Sequence, residues 1–113
     1  MSERTVVETL LKARALLAEG KWCKGSYAVD RDGVECDVRG PSAVAWCALG
    51  AIWKFEPDLS RQVDVEEYLK MVIPRAQRIF LGVPILNDAP ETTLADVLAL
   101  YDRAIEMAER ETA

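Results

Sequence analysis

The chain has 113 residues, half of them hydrophobic and 29% charged, a balance that fits one compact domain over residues 1–113 and argues against disorder or a separate catalytic module. Fourteen Lys and Arg against nineteen Asp and Glu leave a net charge of -5, a field that repels phosphate backbones and argues against duplex nucleic acid as a partner. Histidine is absent, which removes Ser-His-Asp and Cys-His machinery, His-ligated metal sites and any imidazole base.

In chain order, Thr5 to Glu19 repeats apolar residues at Val6, Leu10, Ala13 and Leu17, the spacing of an amphipathic helix, with Thr5 and Glu8 as a capping box and Gly20 as the stop. Charges run throughout this segment, so it reads neither as a signal peptide nor as a membrane span, and a cytoplasmic chain is expected. Next, Tyr27 and Val29, then Val34, Cys36 and Val38, alternate around "DRDG", the signature of a short β-hairpin lying on a helical body. Ser42 then caps a helix from Ala43 to about Phe55, apolar nearly all round and therefore central, with Gly50 on a narrow face that another element can approach.

From Val63 to Phe80 the apolar positions keep helical spacing through Pro74, which predicts a kink there or two helices in series. "LGVPILNDAPETT" reads as a turn-rich connector, and Thr93 with Asp96 opens a last helix that buries Leu94, Val97, Leu98, Tyr101, Ile105 and Ala108. The fold class expected is α+β: a mostly helical single domain with a short β-hairpin packed on a buried central helix.

Few residues carry distinctive chemistry. The acidic turn "DRDGVECD" fails the calcium-loop pattern, because Arg39 stands where the closing glutamate belongs and Ala28 where the first ligand does. The three cysteines, Cys23, Cys36 and Cys47, form no C-x-x-C pair, so neither a disulfide framework nor a zinc cluster is expected; no metal and no cofactor is assigned. Cys36 and Cys47 read as small buried hydrophobes, whereas Cys23 has Lys24 beside it, a neighbour that lowers a thiol pKa. Indoles at Trp46 and Trp53 serve a core by default, and Asn87 and Asp88 serve a cap. Against that stands a grouping suited to recognition: Trp22, Tyr27, Arg31, Trp46, Asn87 and Asp88, with aromatic faces for a base and a guanidinium for phosphate. Arg75 and Arg78, one helical turn apart, are a second place for a phosphate.

Trp22 and Cys23 before the hairpin, "AVAWCALGAI" at Ala43 to Ile52, and "LNDAPETTLADVLALYDRAI" at Leu86 to Ile105 together resemble a family of small uncharacterised proteins from bacteria and phages. That family shows a "WCALGA" helix and an "ND...T...V" opening of its last helix, with an arginine at the hairpin turn that Arg31 matches. The resemblance implies a shared fold and carries no established activity. By analogy it points to a non-enzymatic binder that sequesters a small ligand such as a nucleotide-derived immune signal. Two alternatives stand beside it: a hydrolase or transferase acting on a small nucleotide through Cys23 or the hairpin carboxylates, and a homo-oligomeric assembly protein using Trp53 and the Val63 to Phe80 face.

Overall fold

Apolar spacing at the start of the chain becomes helix α1, Glu3–Ala18, in the computed structural model, which describes residues 3–74 and 82–112. Thr5 lies inside this helix, two residues past its first. Gly20, at φ 87°, closes it by donating its amide to the Leu17 carbonyl at 2.9 Å, in a backbone conformation that favours glycine. Leu10, Ala13 and Leu17 are fully buried.

The middle of the chain departs from the expected pairing. Strand β1, Ala28–Val29, pairs antiparallel with β2, Ala45–Trp46, in the register Ala28 with Trp46 and Val29 with Ala45. The Asp-Gly turn does form: Asp30 Oδ1 accepts from the amides of Asp32 and Val34 at 2.9 and 3.0 Å, and Gly33 has φ 79°. Its second arm, however, meets β1 at a single bridge, Val29 with Glu35. On the far side of β2, Trp22 makes a parallel bridge to Trp46. Four short stretches therefore share one small sheet.

The "AVAWCALGAIWKF" run is accordingly part strand and part helix. Its first residues give their amides to the sheet, Val44 to the Val29 carbonyl and Trp46 to that of Lys21, and helix α2 covers only Ala48–Phe55. The N-cap is Cys47, whose Sγ accepts from the Gly50 amide at 3.2 Å, so Ser42 caps nothing here. An apolar run bounded by turns fits a buried strand as well as a helix, and spacing alone does not separate them. Ala48 to Ile52 are all buried. Gly50 is required, because a Cβ there would collide with the Tyr27 carbonyl oxygen.

Helix α3 spans Leu59–Met71, starting ahead of the predicted Val63 because Asp58 caps it: Asp58 Oδ1 accepts from the Ser60 and Arg61 amides at 2.9 and 3.2 Å. The Ser60 hydroxyl, with the Arg61 amide, holds the Asp58 carboxyl below its ordinary range. The helix ends at Met71, three residues ahead of Pro74, and the expected continuation beyond Pro74 lies outside the described residues. The expected positions Ala76, Ile79 and Phe80, and Arg75 and Arg78, lie outside the described residues. The connector holds a short helix, α4, Val83–Asp88, with Pro84 in its first turn. Helix α5, Leu94–Thr112, opens on the predicted reciprocal cap, the Thr93 amide to Asp96 Oδ2 at 2.9 Å and the Asp96 amide to Thr93 Oγ1 at 3.2 Å.

Helix α1 packs chiefly on α5 and α2, and α3 on α5. Leu10, Leu17, Ile52, Leu69, Leu100 and Tyr101 sit at the centre of this layer with exposures of 2% or less, and each such aliphatic or aromatic side chain contributes roughly 1.5–3 kcal/mol through burial. The protein is thus mostly helical α+β, with the small sheet against the helices. No helix among the described residues is long and apolar enough to cross a membrane.

Candidate functional site

Asn87, the penultimate residue of α4, is 1% exposed and uses all four of its amide's main hydrogen-bonding positions. Its Oδ1 accepts from Trp22 Nε1 at 2.6 Å and from the Ala48 amide, at the start of α2, at 3.0 Å. Its Nδ2 donates to the Cys23 carbonyl at 3.1 Å and to Asp88 Oδ1 at 3.0 Å. Asp88 Oδ1 takes a further bond from the Gly25 amide at 2.9 Å, and Lys24 Nζ donates to the Ala89 carbonyl at 2.7 Å. Trp22, Asn87 and Asp88 are therefore brought together as a clasp that fastens α4 to the segment 22–25 and to α2.

The side chains of the other three predicted site residues make none of these hydrogen bonds, although the Trp46 backbone pairs with Trp22 and Cys23. Trp46 is 4% exposed, gives its Nε1 to the Val38 carbonyl at 2.9 Å, and has Lys54 Nζ 4.9 Å from its ring centre. Tyr27 is 41% exposed, with its ring 4.3 Å from that of Trp53. Arg31 is exposed at the tip of the Asp-Gly turn.

An open cleft of about 190 Å³ lies between the segment 25–27 and α4. Tyr27 and Asp88, from the predicted set, line it with Gly25, Ser26, Glu35 and Pro84, and buried Cys47 faces it as well. A shallower groove of about 420 Å³ continues past Pro84 and Asp88 to Ile85 and Pro90. Among the described residues, the lining of the 190 Å³ cleft carries two carboxylates and no Lys or Arg. The sequence marks Glu35 only as one of the hairpin carboxylates and Pro84 only as part of a connector; no periodicity joins them, because the cleft is formed by segments about sixty residues apart in the chain.

All three thiols are held protonated. Burial, then the neighbouring Cys47 and Asp88 and lastly Cys36, pushes Cys23 up to about 11. Lys24, expected from the sequence to lower it, points its ammonium at the Ala89 carbonyl. Burial also raises Cys47, against the amides of Gly50 and Leu49, and burial raises Cys36. Among the described residues, no group of three or more Cys, Asp or Glu side chains is placed to hold a metal ion.

The sequence profile of a family of unknown function (DUF6197) matches residues 1–107. No curated protein and no solved structure matches the chain.

Proposed function

The chain belongs to this family of unknown function, DUF6197, and from its own geometry we propose that it is a non-catalytic binder of a small organic guest seated in the cleft beside Tyr27. One observation carries the reading: an exposed tyrosine, its ring backed by Trp53, lines the same cleft as a carboxylate whose orientation is fixed by the Gly25 amide and Asn87 Nδ2. A ring wall with a few fixed polar groups is the common anatomy of small-molecule sites. The carboxylates Glu35 and Asp88 favour a neutral or cationic guest, which gains from the face of Tyr27 as well. A nucleotide, the narrower guest suggested by the resemblance, can lay its base on Tyr27, but its phosphate must reach Arg31, outside the lining. The protonated state of Cys23 supports binding over thiol chemistry.

The test is a thermal-shift and calorimetric screen of nucleosides, nucleotides and small amines on the wild-type chain and on Tyr27→Ala. Stabilisation by a nucleoside or amine, lost in Tyr27→Ala and recovered as unchanged guest after denaturation, is the expected result. Absence of any shift across the three classes would overturn the proposal, and a chemically altered guest would favour the enzyme alternative.

A second reading has its own observation. On α3, Leu59, Val63 and Met71 are 73%, 49% and 46% exposed, which supports an assembly surface. Trp53, placed in that surface by the sequence reading, is half-buried against Tyr27 instead. Light scattering at low micromolar concentration decides it; a monomer ends this reading.

A further inference from the structure

The cleft beside Tyr27 does not end at Asp88. Pro84 and Asp88 line both the cleft and the shallower groove, whose remaining wall is Ile85, Ala89, Pro90 and Glu91. Ile85 is 51% exposed and lies with two prolines in that wall, so apolar surface stands open beside acidic groups.

The charges follow the same path. Glu35 lines only the cleft, Glu91 only the groove, and Asp88 both. Asp88 Oδ1 is taken by the Gly25 amide and Asn87 Nδ2, while its Oδ2 accepts no hydrogen bond from a described residue. Among the described residues no Lys or Arg lines either part, and none of the three carboxylates belongs to an ion pair. Lys24 stands near, but its ammonium donates to the Ala89 carbonyl at 2.7 Å and lies 5.4 Å from the centre of the Trp22 ring. Nor do three of the described Cys, Asp or Glu side chains converge as a metal ion requires. Separate carboxylates along partly apolar surface suit an elongated cation, charged at both ends, better than a compact ion.

We propose that this surface holds a linear diamine of the polyamine class. One ammonium sits in the cleft with Glu35, Asp88 and the face of Tyr27, the methylene chain covers Pro84 and Ile85, and the second ammonium meets Glu91. The proposal rests on the organic-guest reading and narrows it, because a guest with one charge leaves one end of the path unanswered.

The test compares diaminobutane and diaminohexane with butylamine and hexylamine on the full chain at low ionic strength, by calorimetry and by NMR. One diamine should bind about threefold to fivefold tighter than its matching monoamine, the range that one exposed ion pair supplies. It should shift amide signals of residues 25–27, 35 and 84–91. Glu91→Gln should abolish the advantage and leave monoamine binding unchanged, whereas Glu35→Gln should weaken both kinds of guest. Neither carboxylate bonds to another described residue, so neither variant threatens the fold. Equal affinity for diamines and monoamines, an advantage that survives Glu91→Gln, or the same shifts from magnesium chloride alone would overturn the proposal. A neutral nucleoside that binds through Tyr27 while no amine does would end the diamine and leave the organic-guest reading standing. Silence from every probe would end both.

Discussion

The helical layer of α1, α2, α3 and α5 and the unit made of residues 21–47 with α4 are held by different forces. In the layer, Leu10, Leu17, Leu69 and Leu100 interlock with almost no exposure, and stability is spread over many apolar contacts. The smaller unit has two two-residue strands, too little for independent stability, and is fastened through hydrogen bonds converging on Asn87. Distributed burial tolerates the loss of one contact better than a single polar hub does, because a hub that disappears leaves several buried partners unpaired.

The sharpest way to break that comparison is Asn87→Ala. It strands Trp22 Nε1, the Ala48 amide and the Cys23 carbonyl, and should cost about 3–5 kcal/mol by urea denaturation. Hydrogen exchange should show amides of residues 22–47 opening ahead of those in α1 and α5; uniform loss of protection would mean that the unit is not separately fastened. Leu69→Ala, in the layer, should cost about 3 kcal/mol with exchange accelerated throughout.

Tyr101→Phe joins the two regions, because the buried hydroxyl donates to the Ala48 carbonyl at 2.5 Å beside the clasp. A loss of about 1–2 kcal/mol is expected at neutral pH. Burial, with Cys47 nearby, holds the Tyr101 hydroxyl well above its ordinary value, and Cys23 is raised from 9.0 to about 11. Groups whose folded pKa is raised contribute fully below their unfolded pKa, so stability should decline as pH climbs above about 9, first through the thiols and then through the tyrosine. Tyr101→Phe should flatten the upper part of that decline, and stability curves between pH 8 and 11 would show it. The smallest effect belongs to Val34→Ser at the turn, 59% exposed, which should stay within about 0.5 kcal/mol.

Legibility follows the same division. The stripe of α5, the glycine stop of α1, the Thr93–Asp96 box and the close approach at Gly50 were readable because each is a local pattern with one physical solution. The split of the Ala43 to Phe55 run was not. Whether Val44 and Trp46 give their amides to a helix or to neighbouring extended segments depends on Val29 and Lys21, which no spacing within the run encodes. Of the candidate site, Asn87 and Trp22 meet on each other, while Tyr27 and Asp88 reach the cleft.

Composition and periodicity by themselves determined a mostly helical acidic domain without imidazole chemistry, since charge, residue content and helical stripes are properties of the chain read in order. Tertiary structure alone decided which polar groups face a cleft and which saturate one another. Hydrogen-bond partners such as Asn87 and Trp22 lie 65 residues apart, and their meeting depends on how α4 docks.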